Sequence, residues 1–403
     1  MSAGRHRVVV VGGGLVGASL AIALERAGVA TALVDAAPAG TMPAVFDQRN
    51  LSFAEATVNA LAALGVLRHL RAAPGPIRRI HISRRGDFGQ VRLDAADHGR
   101  ECFGLVVEAR DFGHALEARL AELPGLARCR PARFLGFGEG VEGLRQVRID
   151  DGGSERLLQA ELVVAADGSH SQVRAALGIA AEQHDYGQRL FVARLRSRPG
   201  PDGTAYERLD DDGPTALLPR GDGHYGIVHG VAEADADAVA ALDDAAFLAR
   251  VQRAFGWRAG RFESIGARSM HPALRLVAAQ TIGHRAVVVG NAAQTLHPIG
   301  AQGFNLGLRD ALTLAELVAD AADAGAVAVL QAYARRREED RRRTIAFSDG
   351  LARVTANAAP LLRPLRSAGL LAMDAMPWLQ GLLAGGAMGY RGDVPALCRQ
   401  GAA

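Results

Sequence analysis

The chain has 403 residues, a length that suits two or three domains or one large core with insertions, and its composition, 49% hydrophobic and 22% charged, excludes extended disorder. Its 46 basic residues, all arginine, and 43 acidic residues leave a formal charge of only +3, too small to indicate a nucleic-acid partner. Three scattered cysteines (Cys102, Cys129, Cys398) offer neither a disulfide framework nor a CxxC metal pair and fit a reducing compartment.

Residues 7–11 form a β-branched run that reads as a strand. Gly12-Gly13-Gly14-Leu15-Val16-Gly17 follows, then a helix-forming stretch over 18–27 with Gly28 where a left-handed cap belongs. Residues 29–34 read as a second strand ending at Asp35, and this βαβ opening predicts a parallel sheet. Residues 49–70 read as a helix, because Leu51, Val58, Leu61 and Leu64 fall near helical spacing. Residues 77–93 alternate, with Gly86 and Gly89 as turn signals. Residues 108–123 read as a helix, 133–149 as a hairpin, and 162–177 as strand, turn and helix. Short strands and turns fill 189–231; 286–290 reads as a strand, 303–319 as a helix, and the remainder as mostly helical. The fold class is therefore α/β. A discontinuous Rossmann-like nucleotide domain over 1–75, 100–180 and 270–345 is expected to carry an inserted β-sheet substrate domain over 76–99 and 181–269. A helical region over 346–403 follows. Neither a signal peptide nor a transmembrane helix is expected: the apolar run 8–11 breaks into glycines, and 368–388 is interrupted by Asp374 and Pro377.

Gly12, Gly14 and Gly17 form a GxGxxG with a strand before it, a helix after it, and Asp35 18 residues beyond Gly17. Such a turn lets backbone approach a pyrophosphate seated on a helix N-terminus, while the acid accepts from a ribose hydroxyl. The stretch 138–143 has the same glycine spacing but no following helix, and reads as a hairpin turn. Residues 163–174 bring an apolar strand to Asp167-Gly168, at the edge where open sheets bind ligands. Taken alone, Asp167-Gly168 reads first as a cap for a helix starting near Ser169 plus a turn glycine. Residues 286–307 run a strand into Gly290-Asn291, then a loop with His297, Pro298, Gly300 and Ala301, then a helix from Gly303. Its unbonded N–H groups suit developing negative charge. His297, His224 and His229 are candidate bases, although histidine is more often structural and His229 reads first as a packed strand residue.

Taken together and in this order, the motifs resemble the class A FAD-dependent aromatic monooxygenases of the p-hydroxybenzoate hydroxylase type. Within that class the chain is most similar to the ubiquinone-biosynthesis hydroxylases that act on polyprenyl methoxyphenols. GNAAQTLHPIGAQGFNLGLRDALTLAEL carries the resemblance, with FDQRNLSFAEAT, LVVEARDFGHAL, VVAADGSHS and FGWR. The resemblance implies FAD as cofactor, NADPH or NADH as electron donor and O2 as co-substrate. It implies hydroxylation of a polyprenylated phenol in ubiquinone biosynthesis through a flavin C4a-hydroperoxide. It assigns Gly12, Gly14 and Gly17 to the pyrophosphate, Asp35 to the ribose, Arg49 to an FAD contact after the second strand, and Arg110 to the region that closes over the cofactor. Asp167 and Gly168 fall to FAD and nicotinamide, Gly290 and Asn291 to the ribityl chain, and 298–305, with Gly303, Phe304 and Asn305, to the isoalloxazine. His297, Pro298 and Gly303 are the catalytic candidates, and no metal is expected. One departure is visible: Gly300-Ala301 stands where the family has Ala-Gly.

The same resemblance implies a cytoplasmic protein working with other ubiquinone-synthesis proteins. Residues 350–390 are rich in Leu, Ala and Met and flanked by Arg353, Arg363 and Arg366. They read either as helices resting on the inner membrane surface or as helices packed on the protein itself or on a second copy in a homo-oligomer. Residues 335–343 read as a solvated helix with i,i+4 ion pairs. The alternative activities are hydroxylation of a soluble aromatic or reduction of a polyprenyl chain. In a different class stands a non-catalytic flavoprotein scaffold.

Overall fold

A computed structural model describes residues 4–38, 49–355 and 363–399. The chain opens with β1 (Gly4–Val11), α1 (Leu15–Arg26), β2 (Thr31–Val34), β3 (Asn50–Ala54), α2 (Glu55–Ala63), β4 (Gly75–Ile77), β5 (Arg79–Arg84) and β6 (Gln90–Asp94). It continues through β7 (Gly104–Glu108), α3 (Ala109–Ala121), β8 (Ala127–Cys129), β9 (Ala132–Phe137), β10 (Arg145–Asp151), β11 (Ser154–Ala165) and α4 (Gln172–Ala176). Next come β12 (Ala181–Arg198), β13 (Thr204–Leu209), β14 (Thr215–Pro219), β15 (Tyr225–Ala232), α5 (Ala236–Ala240), α6 (Asp244–Phe255), β16 (Arg261–Ile265) and β17 (Ser269–Ala278). The last stretch holds β18 (Ile282–Gly283), β19 (Ala286–Val288), β20 (Gln294–Thr295), α7 (Gly303–Ala319), α8 (Val327–Thr355), α9 (Arg363–Ala375) and α10 (Pro377–Ala387).

An eight-stranded sheet runs β18-β19-β11-β1-β2-β8, with the β9–β10 hairpin attached to β11. The pairs β19–β11, β11–β1, β1–β2 and β2–β8 are parallel. Its central strands are covered on both faces, which is why they read as unbroken apolar runs. Val8, Val10, Leu162, Val164 and Val287 pack under α1, α2, α3 and α7; Val9, Val11, Val163, Ala165 and Val288 pack against the hairpin and α4.

A nine-stranded, mainly antiparallel sheet has the order β20-β17-β12-β15-β14-β13-β5-β6, with β16 on β12. It takes in β17 and β20, beyond residue 269. Helices α5 and α6 bury one face through Val239, Phe247, Val251 and Phe255. Helix α9 is clamped on the β6 edge: Arg92 N donates to Asp374 (2.8 Å), and Arg366 pairs with Asp87 at 3.0 Å. A small third sheet has the order β3-β7-β4. Arg220 ties it to the β14–β15 turn by donating to Asn50 (2.7 Å) and Glu108 (2.9 Å).

Three local expectations are corrected. Residues 49–70 do not form one helix, because 50–54 are a strand paired with β7, Asn50 opposite Glu108 and Ala54 opposite Gly104. That partner lies some fifty residues away, so local spacing could not reveal it. The helix after Asp167-Gly168 starts at Gln172, capped by Ser171, whose side chain accepts from Arg174 N. Residues 335–343 are not solvated throughout: Arg337 and Asp340 are fully buried. Arg309 donates to Asp340 at 2.7 and 3.1 Å, and Arg337 donates to Asp310 at 2.7 Å and Asp340 at 2.5 Å. This charged lattice joins α7 to α8. The exposed Arg343–Glu339 pair, by contrast, is of the expected i,i+4 kind.

Candidate active site

Three glycine-bearing turns leave the same edge of the parallel sheet. Val11 is in register with Ala165, and Ala165 with Val288, so the GxGxxG, Asp167-Gly168 and Gly290-Asn291 turns begin side by side. Gly12 has φ +105, and a Cβ on it would lie 2.4 Å from Ala166 O; one on Gly17 would lie 1.9 Å from Gly12 O. A Cβ on Gly307 would lie 2.9 Å from Val16 and 3.0 Å from Gly290 Cα, so the first and third turns are pressed together at the crossing of α1 and α7. Gly14 differs. Its φ is an ordinary −69, and a Cβ there would meet nothing within 4 Å. The protein's own packing does not demand that glycine, and the open space beside it lies at the start of α1, where no side chain caps the first-turn N–H groups.

Around these turns the side chains divide into those that face open space and those committed to the fold. Asp35 follows β2 and reaches Gly13, and its Oδ1 accepts from Ala37 N at 3.0 Å. Arg49 and Arg110 are brought together, since Ala109 N donates to Arg49 O at 2.8 Å; Arg110 is exposed in the first turn of α3. Asp167 accepts from Ser171 Oγ and from Val173 N (3.1 Å), so its carboxylate caps α4. Arg174 locks this turn to the third one by donating to Ser169 O (2.9 Å) and Ala292 O (2.8 Å). Asn291 is exposed.

The loop before α7 shows the same division. His297 is buried, and burial pushes its pKa down to about 4. Its Nδ1 accepts from Ile299 N (3.2 Å), which assigns the ring proton to Nε2, 3.4 Å from Gln188 Oε1. Tyr186 stacks edge-on at 5.0 Å. His297 thus holds the loop, while the exposed Pro298 next to it lines the adjoining cleft. Phe304 packs between Phe53 (5.4 Å) and Phe112 (5.3 Å). Asn305 uses its full bonding capacity internally: Oδ1 accepts from Ala54 N (2.9 Å) and Thr57 Oγ1 (2.7 Å), and Nδ2 donates to Ser52 O (2.9 Å) and Ala301 O (2.8 Å). Gly303 opens α7 with no side-chain cap and clear space where a Cβ would stand. The Gly300-Ala301 order has a backbone consequence, because both residues have positive φ, +70 and +50. The alanine therefore occupies a left-handed conformation that costs an L-residue about 1–2 kcal/mol.

Between this loop, the large sheet and α10 lies a cleft. Its walls are mostly apolar, with Ile80, Ile82 and Leu93 from β5 and β6, Leu218 from β14, Phe347 from α8 and Leu383 from α10. Six residues with polar side chains line it: Ser52, Tyr206, Glu207, Gln302, Asn305 and Arg391. None of the candidate histidines lines it. His229 is buried on β15, 2.9 Å from Thr215 Oγ1, its pKa held down to about 3 by burial and then by Arg250. His224 sits in the 220–224 turn against Asp222.

The family described as an FAD binding domain matches residues 5–348. The ubiquinone hydroxylase UbiL of Rhodospirillum rubrum is 32% identical over 387 residues, covering 95% of this chain and 89% of the relative. The 3-demethoxyubiquinol 3-hydroxylase of Escherichia coli is 28% identical, covering 91% of this chain and 94% of that one. The chain belongs to the FAD-dependent aromatic-ring monooxygenases. Among solved structures, p-nitrophenol 4-monooxygenase PnpA from Pseudomonas putida shares the fold of this monooxygenase with a TM-score of 0.78 at 18% identity, over 97% of this chain and 99% of that one.

The residues present fit FAD. An unobstructed Gly14, two uncapped helix N-termini at α1 and α7, and an apolar cleft beside the second of them form a continuous set of features at one sheet edge. Among the described residues no His, Cys, Asp or Glu cluster could hold a metal ion. Two residues of the monooxygenase's cleft went unread in the sequence, Glu207 and Arg391. Glu207 had one sequence signal, a carboxylate on the strand face otherwise carrying Ala205 and Leu209. Arg391 had none, since it reaches the cleft from the segment after α10.

Proposed function

We propose that the protein hydroxylates a polyprenylated phenol ring in ubiquinone biosynthesis, using FAD, O2 and NADPH or NADH. The observation that carries this reading is the apolar cleft bounded by the 298–302 loop and the nine-stranded sheet. The substrates named for the hydroxylases of Rhodospirillum and Escherichia support the substrate class. On this reading the unit built on the eight-stranded sheet holds FAD and the nine-stranded sheet forms the substrate wall. Gly12, Gly14 and Gly17 would hold the pyrophosphate and Asp35 the ribose. Arg49 would contact FAD, Arg110 would close over the cofactor, Gly290 and Asn291 would meet the ribityl chain, and Asp167 and Gly168 would contribute backbone beside it. Gly303, Pro298 and the backbone of Phe304 and Asn305 would border the flavin ring.

Bound FAD supplies the transfer of electrons from nicotinamide to oxygen. The chain's own residues do the rest. The N–H groups at Gly303 favour negative charge placed before α7. The apolar walls exclude water from the reacting ring. His297 and Asn305 fix the loop that separates cofactor from substrate.

The described residues include no helix long and apolar enough to cross a membrane. Helices α9 and α10 and the Met376 that joins them nonetheless expose Leu371, Met376, Trp378 and Leu382, the last two at 64%, beside Phe88 at 71% in the β5–β6 turn. Residues 383, 386 and 387 of α10 line the cleft. This apolar surface is suited to rest on a bilayer and pass a prenyl tail beneath α10. The test is NAD(P)H oxidation by FAD-loaded protein with a prenylated methoxyphenol under 18O2. Incorporation of one labelled oxygen into the ring is expected. Oxidation without label in the ring would remove the hydroxylase reading, and equal turnover of a short unprenylated phenol would remove the lipid substrate.

A further inference from the structure

Glu207 lies on β13 between Ile82 of β5 and Ala216 of β14, on the strand face shared with Ala205 and Leu209. The residue keeps some exposed surface, but its carboxyl tip is buried and Oε1 has no hydrogen-bond partner. The amide of Gly300, in the loop ahead of α7, lies on the side of the same carboxyl and favours its charged form. Gln302 faces the same cleft and also has a buried Oε1 without a donor. Two unfilled acceptors in an apolar cleft call for a ligand that brings O–H donors, since a buried acceptor left unpaired is costly.

Resting on the ring-hydroxylase reading above, we propose that Glu207 is the catalytic base that takes the proton from the substrate's ring hydroxyl. The phenol O–H bond breaks, the proton moves to Glu207 Oε1, and the electron pair stays on the phenolate oxygen, which makes the ring electron-rich for attack on oxygen. The proton returns to that oxygen when the hydroxylated ring regains aromaticity and releases its ring C–H proton to water. Burial raises the Glu207 carboxyl to about 7 against a smaller opposing effect of the Gly300 amide, a value suited to proton transfer near neutrality. The other titratable groups lining the cleft are Tyr206 on the same strand, raised by burial, and Arg391, lowered by burial. The lining residues of β5, β14, α8 and α10 are apolar.

The experiment compares FAD-loaded wild type, Glu207→Gln and Glu207→Asp, with a short-chain prenylated methoxyphenol as probe. The ultraviolet difference spectrum of the bound probe reports phenolate against pH, alongside flavin content, kcat and KM. In wild type the bound probe should ionise with a midpoint well below that of the probe in water. Glu207→Gln should keep its flavin, bind the probe un-ionised, and lose about 100-fold in kcat with little change in KM. Glu207→Asp should recover part of the rate. A flavin-loaded Glu207→Gln that retains the phenolate band and the wild-type pH profile overturns the assignment alone, as does a wild type whose bound probe ionises no more readily than in water. If no phenol stimulates NAD(P)H oxidation by wild type, the ring-hydroxylase reading falls and this inference with it.

Discussion

Replacing Asp340 with alanine would break the charged lattice between α7 and α8. The carboxylate accepts two bonds from Arg309, one from Arg337 and one from Thr344 (3.1 Å), and the side chains of Arg309, Arg337 and Asp340 are at most 1% exposed. Arg337 would keep Asp310, but Arg309 would become a buried guanidinium without a carboxylate, and its Nη1 already lacks an acceptor. Removing one partner of a buried pair costs about 3–5 kcal/mol, a large part of an ordinary folding stability of about 5–15 kcal/mol. Burial alone would raise the Asp340 carboxyl, but Arg309 and then Arg337 outweigh it and hold it below its usual range. Its stabilising contribution is therefore present above the unfolded carboxylate's pKa of about 3.9 and is lost as pH falls through the lower folded value. Urea unfolding at pH 7 followed by tryptophan fluorescence measures the loss. Arg343→Ala is the control, because its exposed pair with Glu339 contributes less than about 1 kcal/mol. An Asp340→Ala protein within about 1 kcal/mol of wild type, or a control equally damaged, would refute the assignment of stability to the lattice.

Gly14→Ala should leave unfolding stability within about 0.5 kcal/mol of wild type yet reduce FAD retention, measured as flavin absorbance per chain after gel filtration. Gly17→Ala, whose Cβ would sit 1.9 Å from Gly12 O, should instead lower the yield of folded protein before cofactor affinity is at issue. Glu207→Gln should gain stability over wild type as pH rises. The folded carboxyl at about 7, against an ordinary 4.5, keeps a proton the unfolded chain has lost, so wild-type stability declines across that window and stays lower above it. The decline is worth about 3 kcal/mol at most, and thermal unfolding at pH 5 and pH 8 should show the variant ahead only at the higher pH.

Local sequence determined a good deal of this protein. The β-branched runs ending at Val11, Ala165 and Val288 announced buried parallel strands, because a strand covered on both faces has no polar side to show. Gly28 marked the end of α1, and the helix from Gly303 to Ala319 was legible in full, since caps and helical period are properties of neighbouring residues. The order of the motifs was enough for the resemblance to FAD-dependent monooxygenases. What each polar side chain spends its bonds on was decided by tertiary structure alone. Asn305 and His297 read as cofactor or catalytic groups, but the fold consumes their hydrogen-bonding capacity by bringing Ser52, Ala54, Thr57 and Gln188 to them from more than a hundred positions away. Residues 335–343 carry the charge pattern of a solvated helix, and only the docking of α8 on α7 turns Arg337 and Asp340 inward to meet Arg309 and Asp310. Glu207 is the opposite case: an unremarked carboxylate on a short strand that becomes a buried acceptor once the loop at Gly300 and the helices after α8 close over it. Burial and pairing depend on which distant segments meet, and a one-dimensional pattern carries that information only weakly.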